Sequence, residues 1–388
     1  MKDVDGKYVA ATAKTEEELL WKAEDLRNEI MERIFHLNNP TLTEYTAEWL
    51  EEKKKTVKYT TAVNYDSIFK HIENSTLGSM YISDISPHDI KCMLANFSKS
   101  SHSVVKKLKM MLHGVFEEAY INRIISTNPY KDVIDFNCGI KTEEKDALTD
   151  DQVATLLNAV EGHRVHTFIA VAYYAGLRRE EILGLKWDCV YIDSEFPHID
   201  VQYTWHTEHN RGVVEKDTKT KKSERIVPIP PELVNILKES KEKYPSEYVV
   251  PNSQGGVLSG TQWSRLWKYV STRTIEERAY YRYDKEGNRI KHTVKPVLGE
   301  KAKHNNTCIY SIDFKVTPHL LRHTCITNWI YAGADIKTVQ DFAGHADPTT
   351  TLKIYAHVKN KDAESKYKAA EEIYKNLENK GILLYNNA

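Results

Sequence analysis

Four short stretches of this chain bring cations, histidines and a tyrosine into patterns that could hold and attack a phosphodiester. The first is Ala175-Gly-Leu-Arg178-Arg-Glu-Glu181, where an apolar helix stops at Gly176 and a new one starts at Arg178. A junction arginine can point into a cleft, and a carboxylate three residues on can hold its guanidinium. The second is Thr218-Lys219-Thr220-Lys221-Lys222-Ser223-Glu224-Arg225, read as a hairpin tip between Val214 and Ile226. A lysine there can reach a groove and give a proton to a leaving oxygen. The third is Thr317-Pro318-His319-Leu-Leu-Arg322-His323, a helix start that puts His319 in the first turn and Arg322 on the same face. His319 and His323 have the spacing of a zinc pair, but Leu320 stands where a zincin needs Glu, and Arg322 repels a metal and suits a phosphate. The fourth runs from Gly344-His345 through Pro348 to Tyr355 and His357.

Each stretch taken singly also has a plain structural reading. Arg–Glu pairs commonly decorate surfaces, lysines fill exposed turns, and tyrosine is abundant here, with 23 in the chain. Order and spacing together say more. Arg-x-x-Glu after Gly-Leu, then Lys in a hairpin, then His-x-x-Arg, then Gly-His with Tyr355 following resembles the tyrosine recombinase (phage integrase) family, as carried by integrases of phages and conjugative transposons. AGLRREEILGLKW, TKTKKSERIVPIP, TPHLLRHT and AGHADPTTTLKIYAHV match in that order.

The resemblance implies DNA strand breakage and rejoining with neither metal nor cofactor, in integration or excision of a mobile element or prophage. Tyr355 would attack the scissile phosphate and form a 3′-phosphotyrosine, expelling a 5′-hydroxyl. Arg178 and Arg322 would clamp the non-bridging oxygens, and Lys219 would be the general acid. His319 would accept a proton or donate to the phosphate, His345 would donate to it, and Glu181 would orient Arg178. A type IB topoisomerase-like nicking and closing enzyme would share this chemistry without pairing two sites. A non-catalytic DNA-binding protein of the same fold would not need the complete set. A metal-dependent nuclease would need clustered Asp and Glu near the site, which the four stretches lack.

These residues need a scaffold, and the chain is long enough to supply one. Its 388 residues suggest two or three domains with a substantial core. Lys plus Arg number 54 against 55 Asp plus Glu, so any DNA contact must come from local patches. No apolar run approaches the ~18 residues of a spanning helix, and the N-terminus lacks the apolar region of a secretory signal, so the expected location is the cytoplasm. Cys92, Cys138, Cys189, Cys308 and Cys325 are scattered without C-x-x-C spacing and read as reduced thiols.

The periodicity predicts a mainly α chain with a small antiparallel β-sheet. Residues 1–39 form a strand and a helix capped at Thr15, with Leu19, Leu20, Ala23, Leu26, Ile30 and Ile34 on or near a stripe that needs a partner. Residues 40–136 read as helices at Leu42–Lys54, Thr60–Glu73, Ser86–Phe97 and Ser101–Ile124. Lys99, Lys106, Lys107 and Lys109 are placed with the last of these as candidates for DNA, alongside Lys221 and Lys222; a solvated face is the plain alternative. After a linker at 137–147, residues 148–388 begin with a capping box at Thr149 and Gln152 and carry a three-stranded sheet within 190–230. In family terms these parts resemble a remnant of an arm-binding domain, a helical SAM-like core-binding domain, and a mixed α+β catalytic domain.

The chain departs from the family in reading Phe342-Ala343-Gly344 where Leu is frequent before Gly. It also has a charged insertion between Trp267 and Ser311, bearing Arg282, Lys285, Arg289, Lys291, Lys295, Lys301 and Lys303, a candidate hairpin toward DNA or a neighbouring protomer. The tail from Asp362 to Leu377 repeats Ala363, Tyr367, Ala370, Ile373, Tyr374 and Leu377 at helical spacing. It reads as an amphipathic helix that packs on its own domain or, by the resemblance, docks in a neighbour. The implied partners are double-stranded recombination sites, further copies of the chain in a tetramer on DNA, and an excisionase or host DNA-bending protein.

Overall fold

The protein is described by a computed structural model over residues 7–140, 146–216, 224–302 and 305–361. It falls into two compact units, Met1–Glu144 and Lys145–Ala388. The fold is mainly α with small antiparallel sheets, as the periodicity implies.

In the first unit the helices are α1 (Glu16–Asn38), α2 (Leu42–Lys54), α3 (Tyr59–Glu73), α4 (Pro87–Ala95) and α5 (His102–Ile121). Capping boxes open two of them. Thr41 and Glu44 satisfy each other's backbone at the start of α2, and Ser86 and Asp89 do the same for α4, with Pro87 at the first helical position. Along α5, Val105, Leu108, Leu112, Val115, Phe116 and Ala119 recur at three- and four-residue spacing and are all buried. Side chains of this kind contribute roughly 1.5–3 kcal/mol each when fully buried, which makes α5 the spine of the unit. They pack with Leu42, Trp49, Ile72, Ile90 and Leu94 in one core.

Two expectations change here. Lys99 lies in the turn before α5, not on it, and Lys109 is half-buried, its ammonium donating to the carbonyls of Ile134 (2.9 Å) and Phe136 (2.7 Å). Lys109 therefore closes the loop after α5, because two backbone acceptors there lack other partners in regular structure. Lys106 and Lys107 are exposed. On α1, Ile30 is buried while Leu19, Leu20 and Trp21 remain exposed, so the apolar stripe is only partly covered.

In the second unit the helices are α6 (Asp150–Val160), α7 (Val165–Tyr174), α8 (Arg179–Leu183), α9 (Pro231–Lys243), α10 (Gly260–Ser271), α11 (Pro318–Tyr331), α12 (Ile336–Ala343) and α13 (Pro348–Lys361). The Thr149–Gln152 capping box is present. Helix α7 is apolar all round, the pattern of a helix enclosed on every side. Val165, Phe168, Ile169, Ala170 and Val171 are fully buried, and helices α6, α8, α9, α10 and α11 all pack against α7. Phe168 lies 4.7 Å, ring centroid to centroid, from Trp263.

The strands are β1 (Val190–Tyr191), β2 (His198–Val201), β3 (Tyr203–Glu208), β4 (Arg211–Lys216), β5 (Arg225–Pro228), β6 (Arg278–Tyr283), β7 (Arg289–Val294), β8 (Lys301–Ala302) and β9 (Asn305–Ile309). A three-stranded antiparallel sheet runs β1-β2-β5, and β3 pairs separately with β4. The expected pairing across 214–226 is therefore replaced. Strand β4 turns back on β3 through His209 and Asn210, both at positive φ, while β5 aligns Val227 with Ile199 of β2. That two-residue turn, with both residues in the left-handed region a tight hairpin requires, fixes β4 against β3. The insertion contains the β6–β7 hairpin and the short β8–β9 pair.

Candidate active site

Three helix boundaries converge on the end of α12. Helix α7 stops before Gly176, and Arg178 follows as the extended residue preceding α8, its backbone N–H bonded to Glu181 Oε2 at 2.7 Å. On α11, Thr317 caps the start through Leu320 N, which puts Pro318 and His319 in the first turn and sends Arg322 inward one turn later. Arg322 is 2% exposed.

The carbonyls that close α12 have no intrahelical donors, and three arginines from three separate elements take them. Arg225 Nε donates to Phe342 O (2.7 Å), Arg322 Nη2 to Ala343 O (2.5 Å) and Arg178 Nη2 to Gly344 O (2.5 Å). Arg322 also donates to Gly176 O at 2.6 Å. The negative end of the helix dipole favours cations there. Glu181 lies among the three. Its carboxylate accepts from Arg178 Nη1 (2.7 Å) and from both terminal nitrogens of Arg225 (2.9 and 2.8 Å), with Arg322 Nη1 at 4.0 Å. Three guanidiniums against one carboxylate leave the cluster strongly cationic.

The charges of the site follow from this crowding. Burial alone would raise the Glu181 carboxyl, but the hydrogen bonds and charge of Arg225, with Arg178 and Arg322, bring it down to about 2. Burial, and then the charge of Arg178, push the Arg322 guanidinium down to about 9, so it stays cationic at neutral pH. His345 is lowered to about 4, first by burial and then by Arg322, Arg178 and Arg225, so its imidazole is neutral at physiological pH. Its Nδ1 lies 2.9 Å from the hydroxyl of fully buried Thr351, which fixes the ring plane.

A cavity of about 490 Å³ opens on this cluster, lined by Arg178, Arg179, Glu180, Thr317, His319, Arg322 and His345 among others. Arg178, His319, Arg322 and His345 thus come together from stretches far apart in the chain, with Glu181 behind them. Tyr355, on α13, does not line the cavity; it is half-buried against Ile326, Ile330, Val339 and Ala343. Lys219, Lys221 and Lys222 lie outside the described residues, as does the tail from 362. The ends of the lysine stretch are described: Lys216 Nζ and Glu224 Oε1 lie 3.8 Å apart. Among the described residues, no three or more His, Cys, Asp or Glu side chains gather as a metal site requires.

Two side chains escaped the sequence reading. Thr351 is one of three successive threonines, and nothing local marks which of them faces His345. Arg225 did leave a signal. In Arg-Ile-Val-Pro the exposed Ile226 alternates with buried Val227, and period two then puts Arg225 on the buried face.

Gly344 shows how tightly the cluster is built. It ends α12 at φ 63°, and a Cβ there would lie 2.9 Å from Arg225 Cζ. Gly344→Ala should destabilise the protein by about 1–2 kcal/mol for the left-handed backbone and by more as Arg225 is displaced. Gly333→Ala, at φ 86° with open space around it, should carry only the backbone cost. Urea unfolding of the two variants checks this; equal losses would mean that Arg225 yields freely.

Residues 146–362 match the Phage integrase family, and residues 41–95 match its N-terminal SAM-like domain. The chain is 28% identical, over 92% of its length and 90% of the relative's, to a protein named tyrosine recombinase XerC-like from Caldanaerobacter subterraneus subsp. tengcongensis. It is 27% identical to tyrosine recombinase XerD of Halalkalibacterium halodurans over 55% of this chain and 57% of that one. Among solved structures, the Tn1549 transposon integrase in complex with a circular intermediate DNA superposes with a TM-score of 0.64 at 20% identity, covering 86% of this chain and 99% of that one. A lambda integrase tetramer bound to a Holliday junction gives a TM-score of 0.55 at 17% identity, covering 90% and 93%. With its family match spanning more than half the sequence, the chain belongs to the phage integrase family of tyrosine recombinases.

Proposed function

We propose that this recombinase cuts and rejoins double-stranded DNA at specific sites, through a 3′-phosphotyrosine on Tyr355, to integrate or excise a mobile element. The observation that carries the reading is the cationic cavity shared by Arg178, Arg322, His319 and His345. A pentacoordinate phosphorane gathers negative charge on its non-bridging oxygens, and two fixed guanidiniums meet that charge without reorganising. Arg178 and Arg322 hold those oxygens. Neutral His345 donates one hydrogen bond to the phosphate, and His319 accepts the tyrosine proton. As the Tyr355 oxygen bonds to phosphorus, the bond to the 5′-oxygen breaks and Lys219 supplies its proton. Attack by a second DNA 5′-hydroxyl reverses these steps, so no high-energy cofactor is consumed.

Residues 40–136 serve in this reading as the core-binding domain, with Lys99, Lys106 and Lys107 toward phosphates, and 148–388 as the catalytic domain. Residues 1–39 stand as the remnant of an arm-binding domain. The protein acts as an oligomer on DNA, a reading supported by its structural neighbours, which include a dimer and a tetramer of lambda integrase on DNA. The segment after Lys361 is its coupling element, and direction is set by an excisionase or a host DNA-bending protein.

Two-site recombination measured in EDTA tests the reading. Product should form at the rate seen without chelator, while DNA affinity falls steeply with salt, by a log–log slope of about −0.9 per phosphate contact. A reaction that stops in EDTA and returns with Mg²⁺ would sink it. Relaxation of supercoils with no joined products would leave only nicking and closing.

A further inference from the structure

Arg225 has no part in the reaction set out above, yet it is the most heavily engaged cation in the site. It is 9% exposed, grips both oxygens of Glu181, donates to Phe342 O, and lies flat against Gly344. Its place in the chain is equally particular, at the first residue of β5, just beyond the segment 217–223 that carries Lys219.

The consequence follows from what Glu181 would do without it. A buried carboxylate beside an arginine prefers a two-point contact. Here Arg225 occupies both oxygens end-on, so Arg178 is left with a single side-chain contact to Glu181 and its second terminal nitrogen on Gly344 O. Without the Arg225 fork, Glu181 could convert its single side-chain contact with Arg178 into a two-point one and turn the remaining N–H groups away from the cavity. Lysine could not stand in, because a point-charge ammonium cannot span both oxygens.

We propose that Arg225 is a positioning residue for strand cleavage: by occupying both oxygens of Glu181 and the end of α12 it limits Arg178 to one side-chain contact with Glu181 and keeps its guanidinium turned to the cavity and the scissile phosphate. The proposal rests on the phosphotyrosine reading.

Single-turnover cleavage of a nicked suicide duplex and half-site affinity are measured together on the full-length protein, for wild type, Arg225→Gln, Arg225→Lys, Glu181→Gln, and each Arg225 variant combined with Glu181→Gln. Arg225→Gln should cleave about 10- to 100-fold more slowly, the scale of a small displacement in a catalytic group, with affinity nearly unchanged. Adding Glu181→Gln should restore part of that rate, since the amide can no longer capture Arg178. A merely structural arginine would show no such recovery. Where thermal melting shows that Arg225→Gln does not fold, Arg225→Lys is compared with and without Glu181→Gln in its place. The proposal is overturned by wild-type cleavage in the Arg225 variants, by a loss that follows affinity, or by a second substitution that only adds to the loss. Wild type that forms no covalent adduct at all would remove the phosphotyrosine reading itself, and this proposal with it.

Discussion

Tyr355→Phe should form no covalent adduct with a nicked suicide duplex on which the wild type becomes protease-sensitively linked to DNA. The change deletes one oxygen, and that oxygen is the proposed nucleophile, so the expected loss is complete to the limit of detection. The phenyl ring that packs with Ile326, Ile330 and Val339 is kept, so stability and half-site affinity should stay close to wild type. A phenol is a weak nucleophile at neutral pH and needs a base to take its proton, the role proposed above for His319. An adduct that survives in the variant would move the role to another tyrosine, with Tyr367 the first to test.

Lys219→Ala should slow cleavage of ordinary DNA by ~10²- to 10⁴-fold, the usual contribution of a general acid. Cleavage should recover when sulfur replaces the bridging 5′-oxygen, because a thiolate leaves without a proton. Lys219 lies six residues before Arg225, so extended chain carries it at most about 20 Å from a residue bonded to Glu181. The described ends of the segment lie close, with Lys216 Nζ 3.8 Å from Glu224 Oε1. Lys221→Ala and Lys222→Ala should instead weaken binding and flatten its salt dependence, with no preference for the sulfur substrate. A Lys219→Ala deficit equal on both substrates would make Lys219 a binding residue or a bystander.

Much of this molecule was written in short-range pattern. The Thr149–Gln152 box, the helix stop before Gly176, the turn of helix between His319 and Arg322, and the end of α12 at Gly344 each depend on residues within four positions of one another. Side-chain capping and three- to four-residue periodicity act over that range, so local sequence determines them. The ordered succession of Arg178, His319, Arg322, His345 and Tyr355 could be read the same way, because resemblance needs only order and spacing.

Tertiary structure decided what depends on distant partners. Arg225 meets Glu181 across 44 residues and Phe342 across 117, and nothing near Arg225 in the chain names either partner. Lys109 was legible as a cation on a helix, but only the loop 25 to 27 residues on, with two open carbonyls, turned it into a structural tie. The strands around 190–230 were legible as strands. Their pairing was not, because β-branched alternation specifies a face and leaves the neighbour to turn geometry and packing. Sequence thus determined which groups could do the chemistry; the convergence of three helix boundaries on one set of open carbonyls decided which of them share a cavity, since buried charge and unpaired backbone are tolerated only where each satisfies the other.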